Sequence, residues 1–460
     1  MAAQAETLWD EALPIMVREL PADLAALDVL LSDPGLMAPF AAHWQREALL
    51  SGVSSAGHGR PTIAIETYVR LMVLKQRHGW GYRTLVAEVS DSIHLRRFCR
   101  IALSDLVCDE STVRKLTKRV GEQTVNEIIR TLIASAVREQ RFRARAVRID
   151  STVIEADIKY PTDAGLAAQG VKSLAREGRK LATAIGQAGV GVRDRSRSMG
   201  RRLRAITRTI RRRTGEAKTE VLNVTGQTGE LLTRSVKDAR RLAATARRRA
   251  RGRGAQAKLR AAAKLDELAD RCEKVAEQIR KRVRGEKITD RLISLSDPDA
   301  RPIRKGKLGK PTEFGYVAQI AEVTANTKRG ARGLILPAPS LPGNPVENTL
   351  LPQTVTELKR LGLSPREIAL DGGFTLGPTT EQLEDLDLER LFIAGRQQPG
   401  SKRTQRRLQR YRTGAEGRIS HLKRGYGLRR SRLKGDDGQK TWTGWAILTY
   451  NLDTLTIRTA

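Results

Sequence analysis

Apolar positions recur at steps of three and four over the first third of the chain, and in strand-like runs further on. Ile65, Val69, Met72 and Val73 share one face, which predicts an amphipathic helix ending near Gly79. Tyr82 to Val89 predicts a second helix with Leu85, Val86 and Val89 together, and DSIHLRRFC a third, short one exposing Arg96 and Arg97. Asp109, Ser111 and Thr112 can cap a long helix through Val113, Leu116, Val120, Ile128 and Leu132. Before these, residues 1 to about 60 read as short helices broken at Pro34 and Gly35, ending in the loop SGVSSAGHGRP.

The strand-like part begins with AVRIDSTV, where Ala146, Val147 and Ile149 lead to Asp150 and then to Thr152, Val153 and Ile154. EFGYVAQIAEVTAN (Glu313 to Asn326) and GLILPAPSL (Gly333 to Leu341), separated by the turn KRGARG, predict a hairpin. A helix from Leu350 to Leu361 closes at Gly362, and EIAL (Glu367 to Leu370) is a buried strand ending at Asp371. After a helix through Leu383 and Leu386, RLFIAG (Arg390 to Gly395) is another strand. A basic loop with Lys402, Arg403, Arg406, Arg407 and Arg410 leads to a helix around Glu416 and a Gly- and Arg-rich turn reaching Gly435. The last helix carries Trp442, Trp445, Leu448, Leu452 and Leu455 as a core stripe.

Between the first strand and the hairpin the composition changes. From residue 166 to 290 there are 34 Lys and Arg against 13 Asp and Glu, a net of +21 out of +33 for the 460-residue chain. Runs such as RRLRAITRTIRRR and RRLAATARRRARGR predict long basic helices with a narrow apolar stripe, for example Leu259, Leu265, Leu268 and Val275. A charge run is commonly a solvated face. One sign at this density repels itself and points to a polyanion, nucleic acid before membrane. No apolar run reaches the ~18 residues of a spanning helix, and MAAQAETLWDEALP lacks a signal peptide's pattern. Cys99, Cys108 and Cys272 lack zinc spacing and read as reduced residues of a cytosolic protein.

Two carboxylates that each end or interrupt a buried strand, Asp150 and Asp371, would repel if they were neighbours, and a hard divalent cation between them would match both. Glu416 is the third candidate, with Arg412, Ser420 and Lys423 on the same helical face. The bland alternative for Glu416 is a surface ion pair worth a few tenths of a kcal/mol. Asp157 and Asp163 are nearby acids suited to support or capping. GRQQPGSK has Lys and Ser in the wrong order for a phosphate-binding loop, and HExxH, paired CxxC and Gly-x-Ser-x-Gly are absent, so ATP is not expected.

IDSTV, LDGGF and the R-x3-E-x6-K spacing of Arg412, Glu416 and Lys423 resemble the bacterial insertion-sequence DDE transposases with a ribonuclease H-like core and a helical N-terminal transposase domain. PTEFGY, GNP, TWTGWAILTYNL, GRPTI and DSIHLRRFC are further similarities, while Gln409 stands where that family often has Tyr, with Tyr411 beside the Arg. The resemblance implies a triad of Asp150, Asp371 and Glu416 binding two Mg²⁺ (Mn²⁺ as the alternative), with cleavage and strand transfer at terminal inverted repeats. It implies DNA contacts from Arg412 and Lys423.

The sequence therefore predicts a multidomain α/β protein. An all-α DNA-binding domain covers 1–145, and a ribonuclease H-like mixed-sheet core covers 146–165 and 291–460. A basic helical insertion (166–290) separates the first and second core strands. Expected DNA-binding residues are Arg412, Lys423, Arg418, Arg424, Arg406, Arg407, Arg96, Arg97, Arg211, Arg212, Arg213, Arg247, Arg248 and Arg249. The expected partner is double-stranded DNA, as transposon ends and target, bound by a homodimer or larger assembly in the bacterial cytoplasm at the nucleoid. Rival readings are a non-catalytic DNA-binding derivative and a nuclease of the same fold.

Overall fold

Strand β1 (Ala146–Ala156) runs through the middle of the sheet and is paired along both edges. A computed structural model of the chain describes residues 14–50, 63–187, 189, 191–252, 254–304, 312–396 and 399–459. The loop SGVSSAGHGRP, nearly all of MAAQAETLWDEALP, most of GRPTI, Pro311 of PTEFGY and two residues of GRQQPGSK lie outside the described residues. Contacts divide the chain into two units, 1–157 with 315–460, and 158–314.

In the first unit β1 pairs antiparallel with β3 (Thr312–Thr324), placing Asp150 opposite Ile320, and parallel with β6 (Glu367–Leu370), placing Ile149 beside Leu370. β6 pairs parallel with β7 (Arg390–Ile393). The short strands β4 (Leu334–Ile335) and β5 (Ser340–Pro342) pair antiparallel with β3, as the hairpin reading expects. The sheet is mixed, in the order β3-β1-β6-β7, with β4 and β5 beyond β3.

Alternation along these strands decides what each face carries. Val147, Ile149, Ile368 and Leu370 join the main core, whereas Ala146 and Ala369 pack with Leu408 and Tyr411 in a separate cluster on the opposite face. Arg148 and Glu322 belong to that opposite face too, and the helix lying over it is Lys402–Gly425. The stretch read as a basic loop is thus the first half of this 24-residue helix. Ser401 caps it by accepting from the Thr404 N–H, and no proline interrupts it.

The N-terminal helices are α1 (Ala22–Leu31), α2 (Pro34–Leu50), α3 (Ile65–Arg77), α4 (Tyr82–Asp91), α5 (Ile93–Phe98) and α6 (Glu110–Arg138). α6 breaks at Gly121, whose φ of 69° favours glycine. These helices share one core with the sheet instead of forming the separate domain expected for 1–145. The reason is the C-terminal helix Asp436–Thr459, almost wholly buried. Trp445 packs against Phe40 and Tyr68, Gln76 donates to the Trp442 carbonyl, and the stripe predicted from Trp442 to Leu455 is core. The same helix covers the β4 edge, where the Asn451 amide bonds both the N–H and the C=O of Ile335.

Among its described residues the second unit has four α-helices, α7 (Asp163–Ala184), α8 (Ser196–Thr209), α9 (Gly215–Arg249) and α10 (Ala255–Val283), with the short β2 (Arg301–Arg304). Its core is the narrow stripe the sequence suggested: Leu265 and Val275 are buried, Leu268 is partly so, and Leu259 is exposed. The unit reaches past the 166–290 expected. Asp163 is bound by Arg282 and Arg291, and Leu292 and Leu295 close the helical core. No single described helix is long and apolar enough to cross a membrane. Continuing the numbering, Leu351–Arg360 is α11, Leu376–Leu383 α12, Lys402–Gly425 α13 and Asp436–Thr459 α14.

Glu322 is the central acid of the sheet face under α13, accepting from Arg148 at 2.6 Å and from Arg418 at 2.9 Å while 1% exposed. Glu322→Gln should lower the unfolding free energy by about 3–5 kcal/mol, because two buried guanidiniums lose their counter-charge. Replacing all three members, Arg148→Met and Arg418→Met with Glu322→Leu, should cost less. Urea unfolding measures both, and a Glu322→Gln loss below about 1 kcal/mol would contradict the role given to the pair.

Candidate active site

Asp150 and Asp371 each stand one residue beyond the last paired position of two adjacent parallel strands, Ile149 and Leu370. Parallel neighbours are ~4.8 Å apart, and side-chain alternation sends both carboxylates to the α13 face. The Asp150 carboxyl is pushed up from 3.8 to about 7, first by burial, then by the charges of Asp371 and Glu347. The Ser151 N–H and Arg412 oppose the rise.

Helix α13 supplies Arg412 and Glu416 one turn apart. Arg412 is 9% exposed and reaches Asp371 at 2.9 Å and Glu416 at 3.3 Å, so one guanidinium links the second and third predicted acids. Its buried Nε has no hydrogen-bond partner. The position of α13 follows from Arg148, which donates to the Tyr411 carbonyl and lies over the Tyr411 ring. Tyr411 in turn bonds Thr324 at 2.6 Å. The guanidinium passes so close to Gly414 that a Cβ there would collide with it, so glycine is required by close approach. Tyr411, the aromatic displaced from its expected place, is thereby the residue that seats the helix.

Nothing in the sequence singles out Glu347, although the GNP similarity stands just before it. It lies in a single turn after β5, accepts from the Ser151 hydroxyl, and packs its side chain on Gly373. The neighbouring Asn348 fixes that turn by accepting from the Thr375 N–H at 2.9 Å and donating to Thr379 at 2.8 Å. Glu347 therefore touches the residue after Asp150 and the residue two past Asp371. The signal available was only an acid next to a Gly-Asn-Pro turn, with no periodicity to recommend it.

The expected DNA-contacting residues are placed very differently from one another. Arg406 and Arg424 are exposed on α13, and Lys423 is half-buried in its last turn. Arg418 is turned inward to Glu322 and over the Tyr450 ring, and Arg407 to Glu367 and Thr327. Arg96 closes the turn after the six-residue α5 by donating to the carbonyls of Ala102, Leu103 and Asp105, with Arg97 half-buried beside it. Arg211, Arg212 and Arg213 lie ahead of α9 and Arg247, Arg248 and Arg249 at its end, all exposed. Asp163 is bound by Arg282 and Arg291, and Asp157 lies 3.9 Å from Arg430.

The donor chemistry fits a hard divalent cation, since every acid here offers oxygen. Among the described residues no three His, Cys, Asp or Glu side chains are gathered closely enough to hold a metal ion. Arg412 provides the positive charge between Asp371 and Glu416.

A carboxyl whose folded pKa lies above its unfolded value holds its proton longer in the folded state, so its contribution to stability falls as pH rises from about 4 to about 7. In EDTA, Asp150→Asn should therefore raise the melting temperature at pH 8 by at least about 2 °C, and the gain should shrink towards pH 4. A gain that is the same at both pH values contradicts this charge state.

With the geometry in place, comparison with known proteins locates one similarity. Residues 36–119 match the family described as Transposase domain (DUF772). A curated relative, the uncharacterized protein ORF8 in the nfe locus of Rhizobium meliloti, is 27% identical over 127 residues, 26% of this chain and 61% of the relative. The chain thus spans 61% of that relative's length. No solved structure matches. The N-terminal helices are similar to a transposase domain, and relation to transposases is the family statement these matches carry.

Proposed function

We propose that the protein is a DDE-type transposase with a ribonuclease H-like core, which binds terminal inverted repeats, cuts DNA at element ends and transfers the freed strand to target DNA. The observation that carries this reading is the pair Asp150, in mid-β1, and Asp371, just past the end of β6, side by side where the parallel pairing of the two strands stops, under a helix that presents Arg412 and Glu416 to them. A mixed sheet with antiparallel β3 on one side of β1 and parallel β6 and β7 on the other supports it, as does the basic unit inserted after β1. The similarity of residues 36–119 to a transposase domain supports the same class.

Asp150, Asp371 and Glu416 would hold two Mg²⁺ or Mn²⁺ ions, whose chemistry is to activate an attacking oxygen and stabilise a leaving one. The chain's own contribution is positional. β1 and β6 hold two carboxylates side by side at a fixed register, and the α13 contacts fix where Glu416 emerges. Arg412 holds Asp371 and Glu416 until a cation or a phosphate competes for them. Lys423, Arg406 and Arg424 on α13 lie where a bound strand's phosphates can be neutralised. Joining two ends requires at least two copies on DNA, and the site of action is the bacterial cytoplasm at the nucleoid. No residue set for ATP is involved.

Asp150→Asn, Asp371→Asn and Glu416→Gln should each abolish Mg²⁺-dependent nicking of a duplex carrying the element end, by at least ~10³-fold, while binding of that duplex survives. Nicking retained by all three would remove the site. Nicking without joining of pre-nicked ends would make the protein a nuclease, and binding without nicking in the unaltered chain a DNA-binding derivative.

A further inference from the structure

The arginines of the second unit are not equivalent. Arg212 pairs with Glu220, Arg240 with Asp270 and Glu273, Arg247 with Asp266, and Arg195 with Asp238. Helix α8 differs. It contains no acid of its own, and Arg197, Arg201, Arg204 and Arg208 are all exposed. Among the described residues none of these four is in an ion pair. Steps of four, three and four at ~100° per residue gather them into an arc of about 60°. Met199, Leu203 and Ile206 lie on the opposite side, and Met199 is buried in the core. Along the axis the stripe is about 16 Å long. Four like charges at these spacings repel one another, and nothing within the described fold offsets them.

We propose that α8 is a phosphate-tracking surface for duplex DNA, on which Arg197, Arg201, Arg204 and Arg208 neutralise successive backbone phosphates without reading bases. The helix has no aromatic side chain on which unpaired bases could stack, which disfavours single strands. Its apolar side faces its own unit, where a membrane-surface helix would need that side free. The choice of DNA as the polyanion rests on the function proposed above. The surface itself rests only on exposure, spacing and lack of counter-charge.

The test uses the full chain, an arbitrary 30-base-pair duplex and EDTA, so that nicking plays no part. One variant changes all four stripe arginines to Gln. A control of equal charge changes Arg176, Arg240, Arg280 and Arg284, which have partners within the unit. Fluorescence anisotropy over a KCl series gives the slope of log affinity against log salt. The stripe variant should lose about 0.9 per contact, up to about 3.6, whereas the control should lose less than about 1. Four Arg→Lys changes should keep the slope. If the fourfold variant is unfolded by circular dichroism, the pairs Arg197/Arg201 and Arg204/Arg208 tested separately should each lose about half.

An unchanged slope, an equal loss in the control, or a loss seen only with single-stranded DNA or anionic vesicles overturns the proposal. A chain that shows the slope loss but never nicks DNA refutes the transposase reading and leaves the stripe standing. A chain that nicks with its slope unaltered refutes the stripe alone.

Discussion

Burial of Glu322 between two arginines from different elements is the constraint on which the candidate site depends. Its carboxylate, 1% exposed, is compensated by Arg148 from the neighbouring strand and Arg418 from α13. The Gly333 N–H also donates to it. Removing a partner would leave an uncompensated buried charge, which is far more costly than never having buried the pair. The network therefore has one satisfactory arrangement, and that arrangement sets the axial position and rotation of α13. Once Tyr411 lies beneath Arg148 and Gly414 lets the guanidinium pass, Arg412 and Glu416 emerge where the pairing of β1 with β6 stops.

The electrostatics of the site follow from the same arrangement. Burial first, and then the charges of Asp371 and of Glu347 from the turn after β5, leave Asp150 with a raised affinity for its proton. Arg412 is the compensating charge and is committed to two acids at once. One guanidinium thus serves more than one carboxylate, an excess of negative charge to which an added divalent cation is complementary.

Much of the sheet was legible because buried strands write their period directly into the sequence. Val147 and Ile149, like Ile368 and Leu370, announced strands beside acids, and the hairpin announced β3 and β4. What escaped had no such signal. The first half of α13 is basic and polar apart from Leu408 and Tyr411, so periodicity could not separate helix from loop. Glu347 is placed by a turn that Asn348 ties to Thr375, a contact between residues 27 apart in the chain. The joining of N-terminal helices to the sheet depends on α14, whose stripe reads as core without saying whose core it completes. Among the basic residues, composition gave the polyanion but not which guanidiniums remain outward. Arg418 and Arg407 turn into the fold, and the evenly spaced stripe of α8 was hidden inside a longer run.

Whether Asp150 and Asp371 act together with Glu416 on a divalent cation is most directly measured by titrating the full chain with Mn²⁺ at pH 8 and counting bound ions by electron paramagnetic resonance. Saturable binding of one or two ions, lost in Asp150→Asn with Asp371→Asn and weakened in Glu416→Gln, is the predicted result. Equal Mn²⁺ uptake by the unaltered chain and by the double variant would contradict it.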